Sequence, residues 1–161
     1  MASDIFLKIE DVDGESTDRA HPGAIEIFSF SWGVSNPTTI GSATGGAGSG
    51  KASFQDLHFT SSSTKASPLL AKACAAGTHF PKAVLSVRKA GGQQQDYYKV
   101  TLSDVFVSSY GSAGAPEGDR PEDAFSLLFV KIEFDYFPQN ADGTLGEPVV
   151  FTWDVSRNTA G

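Results

Sequence analysis

The sequence predicts a mainly β protein, a sandwich or a closed barrel, with one short α-helix. Three observations predict it. Runs rich in Val, Ile, Phe and Tyr, most of them alternating, cover 4–9, 25–35, 53–60, 83–89, 97–108, 125–137 and 149–155. Turn residues separate them, namely Asp13-Gly14, His21-Pro22-Gly23, Gly91-Gly92 and Asp142-Gly143. Only the stretch that starts at Ser67 carries helical spacing instead.

The run at 4–9 alternates and reads as a first strand. The run at 25–35 has the clearest pattern. Phe28, Phe30, Trp32 and Val34 fall on one face, and Ser29, Ser31, Gly33 and Ser35 on the other. Strand side chains alternate between faces, so the bulky side is expected on a core and the small side on a smooth wet wall. The segment 37–50 holds Gly41, Gly45, Gly46, Gly48 and Gly50 and reads as an exposed loop. After the run at 53–60, Ser67 is a candidate N-cap and Pro68 fits the first helical position. Gly77 stops the helix, and Leu69, Leu70, Ala73 and Cys74 form its apolar stripe, opposite Lys72. At about nine residues it must dock on the strands to persist. Gly91-Gly92 marks a hairpin between the runs at 83–89 and 97–108. A second loop, 111–123, carries Gly, Pro and acidic residues before the last two runs.

The chain has 161 residues, which is most simply one domain spanning 1–161. A chain of that size buries about 70% of its unfolded surface and supports its own core. The formal net charge is −7. That sign opposes nucleic acid and anionic membrane surfaces as partners, since both call for clustered Lys and Arg. Cys74 is the single cysteine, so neither an intrachain disulfide nor a cysteine zinc cage forms. The first residues alternate and lack the basic start and apolar run of a signal peptide. No stretch approaches the roughly 20 apolar residues of a membrane helix.

Several patterns approach known chemistry and fall short. Residues 45–51, GGAGSGK, fit a phosphate-loop spacing, but Ala52 replaces the magnesium-binding hydroxyl. The following run alternates as a strand, whereas the anion site requires a helix N-terminus. Asp56 and His58 share a strand face, which would suit a base and its orienting acid, yet no serine lies in a nucleophile-elbow context. His21, His58 and His79 have no metal-ligand spacing. The acidic run Asp11, Asp13, Glu15, Asp18 lacks the calcium-loop glycine, with Ser16 at its sixth position and Pro22 at its twelfth. No catalytic, metal or cofactor site is therefore expected.

The ordered set of segments 4–9 (DIFLKI), 14–16 (GES), 30–33 (FSWG), the glycine loop before Lys51, 55–60 (QDLHFT), the Ser67-Pro68 helix, 79–92 (HFPKAVLSVRKAGG), 104–109 (DVFVSS), 135–139 (DYFPQ) and 152–155 (TWDV) resembles the Hcp (haemolysin-coregulated protein) family of type VI secretion systems. The resemblance spans nearly the whole chain. It implies a two-sheet β-barrel with a flanking helix and a structural role without enzymatic activity. It also implies homohexameric rings with a wide channel, stacked head-to-tail into a tube. The implied partners are the spike, sheath and baseplate of the secretion machine and small effectors held in the channel. The implied location is cytoplasmic before firing and secreted afterwards, without a signal peptide. With the sequence ending at Gly161, soon after the last run, the toxin domain of extended members is not expected.

On that reading Ser29, Ser31, Gly33 and Ser35 line the channel. Gly45, Gly46 and Gly48 contact a neighbouring subunit or ring. Gly91 and Gly92 on one rim meet Arg157 and Asn158 on the other. The alternative is a monomeric or small-oligomeric β-barrel that binds a ligand between its sheets.

Overall fold

A computed structural model describes residues 3–37, 51–89 and 94–161. Ten strands and one helix run in the order β1 (Ser3–Ile9), β2 (Ile25–Glu26), β3 (Ser29–Ser31), β4 (Val34–Ser35), β5 (Ser53–Phe54), β6 (Leu57–Ser62), α1 (Ser67–Ala76), β7 (His79–Lys89), β8 (Asp96–Ala113), β9 (Glu122–Tyr136) and β10 (Val149–Asp154). The main sheet has the order β2-β1-β7-β8-β9-β6-β3, and β10 also pairs with β9. All of these pairings are antiparallel. The remaining strands, β4 and β5, form a separate ribbon.

The two ends of that order, β2 and β3, are neighbours in the chain, so the sheet curls back on itself. Two backbone bonds join the ends. The Ile27 amide donates to the Ile5 carbonyl at 2.9 Å, and the next amide, Phe28, donates to the Thr60 carbonyl at 2.8 Å. Closure removes two sheet edges that would otherwise template aggregation.

Closure also breaks the predicted strand at 25–35 into β2, β3 and β4. The inward phase changes as the chain passes from β1 to β6. Ile25 and Ile27 point inward on one side of the crossing, and Phe30 and Trp32 pack on the core on the other. Phe28 and Val34, expected on the core face, are 59% and 49% exposed. Phe28 falls at the phase change, and Val34 leaves the barrel with the β4–β5 ribbon.

The long strands β8 and β9 serve both walls of the barrel. In β8, Leu102 and Val105 are both buried although three residues apart. Asp104 between them has φ 56°, a left-handed conformation that shifts the alternation by one residue. A second irregularity lies between Val107 and Ser109. The extra residue at that second position bends and twists β8, which lets one pair span two sheets. Both strands extend into the predicted loop 111–123, to Ala113 and from Glu122.

Leu57, Phe59, Phe125, Leu127, Leu85, Leu102 and Ile132 fill the interior, with Phe59 and Phe125 stacked at 5.2 Å. The helix packs on β8. Its boundaries match the sequence reading within one residue: Ala66 is the N-cap without a side-chain bond, Ser67 begins the helix, and Gly77 ends it at φ 67°. Leu70 and Ala73 are buried as expected, whereas Leu69 is 44% exposed because a single face of so short a helix meets the sheet.

Candidate assembly surface

The small face predicted for the run at 25–35 is outward. Ser29, Ser31 and Ser35 are exposed and Gly33 is half-buried. The register carries this face across three further strands. Ser31 lies opposite His58, His58 opposite Ser126, and Ser126 opposite Ser109. One row over, Ser29 lies opposite Thr60, Thr60 opposite Ala124, and Ala124 opposite Gly111. Directly opposed residues of an antiparallel pair share a face, so these rows form one continuous wall of small and polar side chains.

Hydroxyl contacts knit it together. The Ser29 and Thr60 hydroxyls lie 2.6 Å apart. The β8 irregularity brings Ser108 and Ser109 together over Ser126, and Ser108 donates to Asp56 at 2.7 Å. Asp56 thus bonds Ser108, and His58 stands exposed beside it without a hydrogen bond to either, so no base–nucleophile pair is assembled.

The wall formed by β7, β8, β9 and β10 differs in chemistry. Its outer face carries Lys82, Lys99, Lys131, Glu133 and Asp135, with Lys99 opposite Asp135 and Ser103 opposite Lys131. Both signs alternate there. Burial, then the neighbouring Asp135, raises the Glu133 carboxyl above its usual range. Lys99 and Lys82 oppose that shift in part.

Of the predicted contact residues, Gly45, Gly46, Gly48, Gly91 and Gly92 lie outside the described residues. Arg157 is exposed, and its amide donates to Asp154 at 3.2 Å. Asn158 has φ 53° and accepts from the Ala52 amide at 3.3 Å, which ties the C-terminal turn to the segment before β5. The first elements after Lys51 are the strands β5 and β6, where a phosphate site would require a helix.

The histidines are dispersed. His21 stacks on Phe6 and lies 3.1 Å from Asp96. His79 stacks on Phe106 and lies 3.5 Å from Asp104. No group of three or more His, Cys, Asp or Glu side chains among the described residues could hold a metal ion. No helix there is long and apolar enough to cross a membrane.

Sequence reasoning missed two buried polar clusters. Asp123 accepts from Ser63, Ser67 and Tyr110. Arg88 bonds Asp18 and Asp4 and lies 4.9 Å over the Phe6 ring. The available signal for Asp123 was a charged residue in phase with Phe125, two positions before it, whereas Arg88 lies on the opposite face of β7, with Phe6, where Asp18 covers it.

The geometry has close counterparts. A family model described as "Type VI secretion system effector, Hcp" matches residues 6–136. Protein hcp1 of Pseudomonas aeruginosa is 42% identical over 160 residues, 98% of each chain. A solved structure of a type six secretion system protein superposes with a TM-score of 0.93 at 33% identity, covering 99% of this chain and 100% of its own. The crystal structure of Hcp1 from Salmonella typhimurium gives 0.80 at 33% identity, with 99% of each chain covered.

Proposed function

Because the chain belongs to the Hcp family of type VI secretion proteins, we propose that it is the repeating subunit of a secretion tube, built as hexameric rings that stack head-to-tail. The observation that carries this reading is the continuous wall of Ser29, Ser31, Ser109, Thr60, Ala124 and Gly111. A conduit needs a wetted surface made mostly of small side chains, and this face has that composition, with the exposed His58 among them. The mixed-sign face of β7 to β10 suits contact with other proteins, since charge pairs set register and partner choice more than raw affinity.

The ring is exported from the cytoplasm with the spike, driven by the sheath on its baseplate, and holds small effectors in the channel. The interior of each barrel is filled by stacked phenylalanines and aliphatic side chains, which supports a structural part over a ligand-binding barrel.

Native mass spectrometry of the purified chain tests the proposal. Six copies of 17.0 kDa, about 100 kDa with closed cyclic symmetry, are expected. A 17.0 kDa monomer at micromolar concentration would refute the ring.

A further inference from the structure

We infer that Phe28 anchors a docking site for a protein segment that combines an apolar side chain with basic flanks. Phe28 is the most exposed aromatic side chain among the described residues, and none of their rings stacks on it. Its backbone is nevertheless fixed, because the Phe28 amide makes one of the two bonds that close the barrel. Next to it, the Ser63 amide donates to the Pro121 carbonyl at 3.0 Å and holds the end of the β8–β9 loop in place. A large apolar group on a rigid support loses little freedom on binding, which is the property of an interface anchor.

Three shallow grooves meet at this ring. Between them they are lined by the carboxyl groups of Asp4, Glu15, Glu26, Asp119 and Glu122, against a single cation, Arg120. Asp4 is engaged by Arg88 at 3.3 Å. The other four form no ion pair among the described residues. The rim therefore has a negative excess around an apolar centre. An apolar contact with Phe28 and Lys or Arg on the flanks satisfies both, and a cation over the ring adds to the attraction.

The test uses the full chain and fluorescein-labelled synthetic peptides read by anisotropy. One carries a Leu-Leu pair flanked by lysines, one the same pair flanked by glutamates, and one a Ser-Ser pair flanked by lysines. The first is expected to bind saturably and the other two weakly. Phe28→Ala should weaken binding by about tenfold or more, the scale of an aromatic anchor, and Phe28→Leu by much less. Glu26→Lys with Glu122→Lys should shift preference to the glutamate-flanked peptide. Circular dichroism and native mass on the same samples confirm that each variant folds.

Unchanged binding by Phe28→Ala, equal binding of the Ser-Ser peptide, or no saturation overturns the inference. A changed native mass in Phe28→Ala, with no effect of peptide on the wild-type mass, assigns the ring to a second copy and also overturns it. Rings that ignore the peptide leave the tube reading intact. A monomer that binds it removes the tube reading and keeps the anchor.

Discussion

The Ser67 hydroxyl, in the first turn of α1, donates to the carboxyl group of Asp123 on β9, which is 1% exposed. Tyr110 on β8 donates to the same carboxyl at 2.9 Å and Ser63 at 2.8 Å. Burial, then Asp123, raises the Tyr110 phenol above its ordinary value. One acidic side chain thus fastens the helix, its leading loop and two strands. Asp123→Ala strands three hydroxyls, and each buried unsatisfied group costs about 1–3 kcal/mol. A loss of about 3 kcal/mol in urea denaturation is expected, with Ser67→Ala costing less than half of that. Equal stability of Asp123→Ala and the wild type would show that the network carries no weight.

Trp32 and Phe28 lie four residues apart and should respond oppositely. The Trp32 indole donates to the Tyr98 hydroxyl at 2.8 Å and meets Phe134 edge-on at 5.5 Å. Trp32→Ala should cost about 3 kcal/mol, the lower end for large aromatic deletions, since the side chain is half-buried. Phe28→Ala should stay within about 0.5 kcal/mol, as exposed substitutions do. Chemical denaturation of both variants checks the phase change at the barrel closure, and the reverse ranking would disprove it.

Acid should destabilise the protein partly through Asp18. Hydrogen bonds from Arg88, then from the Ala20 and His21 amides, lower its pKa from 3.8 to about 2. A folded value below the unfolded one gives stability that is complete above 3.8 and lost as pH falls toward 2. Asp18→Asn should flatten the fall in melting temperature across that interval. A wild-type slope in the variant would place the acid sensitivity elsewhere.

Glu133 carries the opposite sign. Its raised value favours the protonated form in the folded state, so its contribution to stability is greatest in acid and is lost as pH rises through the folded value. Glu133→Gln should therefore melt higher than the wild type at pH 7, with the difference vanishing below 4.5, its ordinary value. Melting curves at pH 7 and pH 4 decide this, and a variant less stable at pH 7 would contradict it.

Much of this architecture was legible because period and punctuation are local properties. The run at 83–89 lies within β7, and Gly77 ends α1 in the left-handed conformation that glycine tolerates best. Gly14 belongs with them: a Cβ there would meet the Ala24 carbonyl oxygen at 2.5 Å. The site was half legible. Ser29 and Ser31 declared a bare face by alternation, but the strands that extend it, with Ser126 and Ala124, are distant in sequence. Their alignment depends on register, which no local pattern states.

By itself the sequence determined the β class, the helix, the outward small face of Ser29 to Ser35, and the family, because alternation, turn chemistry and ordered motifs are written along the chain. Only the tertiary structure decided where the barrel closes, and with it which side of that strand each bulky residue takes. Ile27 turns inward and Phe28 outward in the alternation of β2, and the phase breaks after Phe28, where Ser29 is exposed as well and Phe30 takes the core side as the chain passes to β6. Only packing likewise decided that Asp123 and Arg88 are buried. A charge can be buried there because hydroxyls or carboxylates arrive from elements up to 84 residues away, and a local reading has no means of seeing those partners.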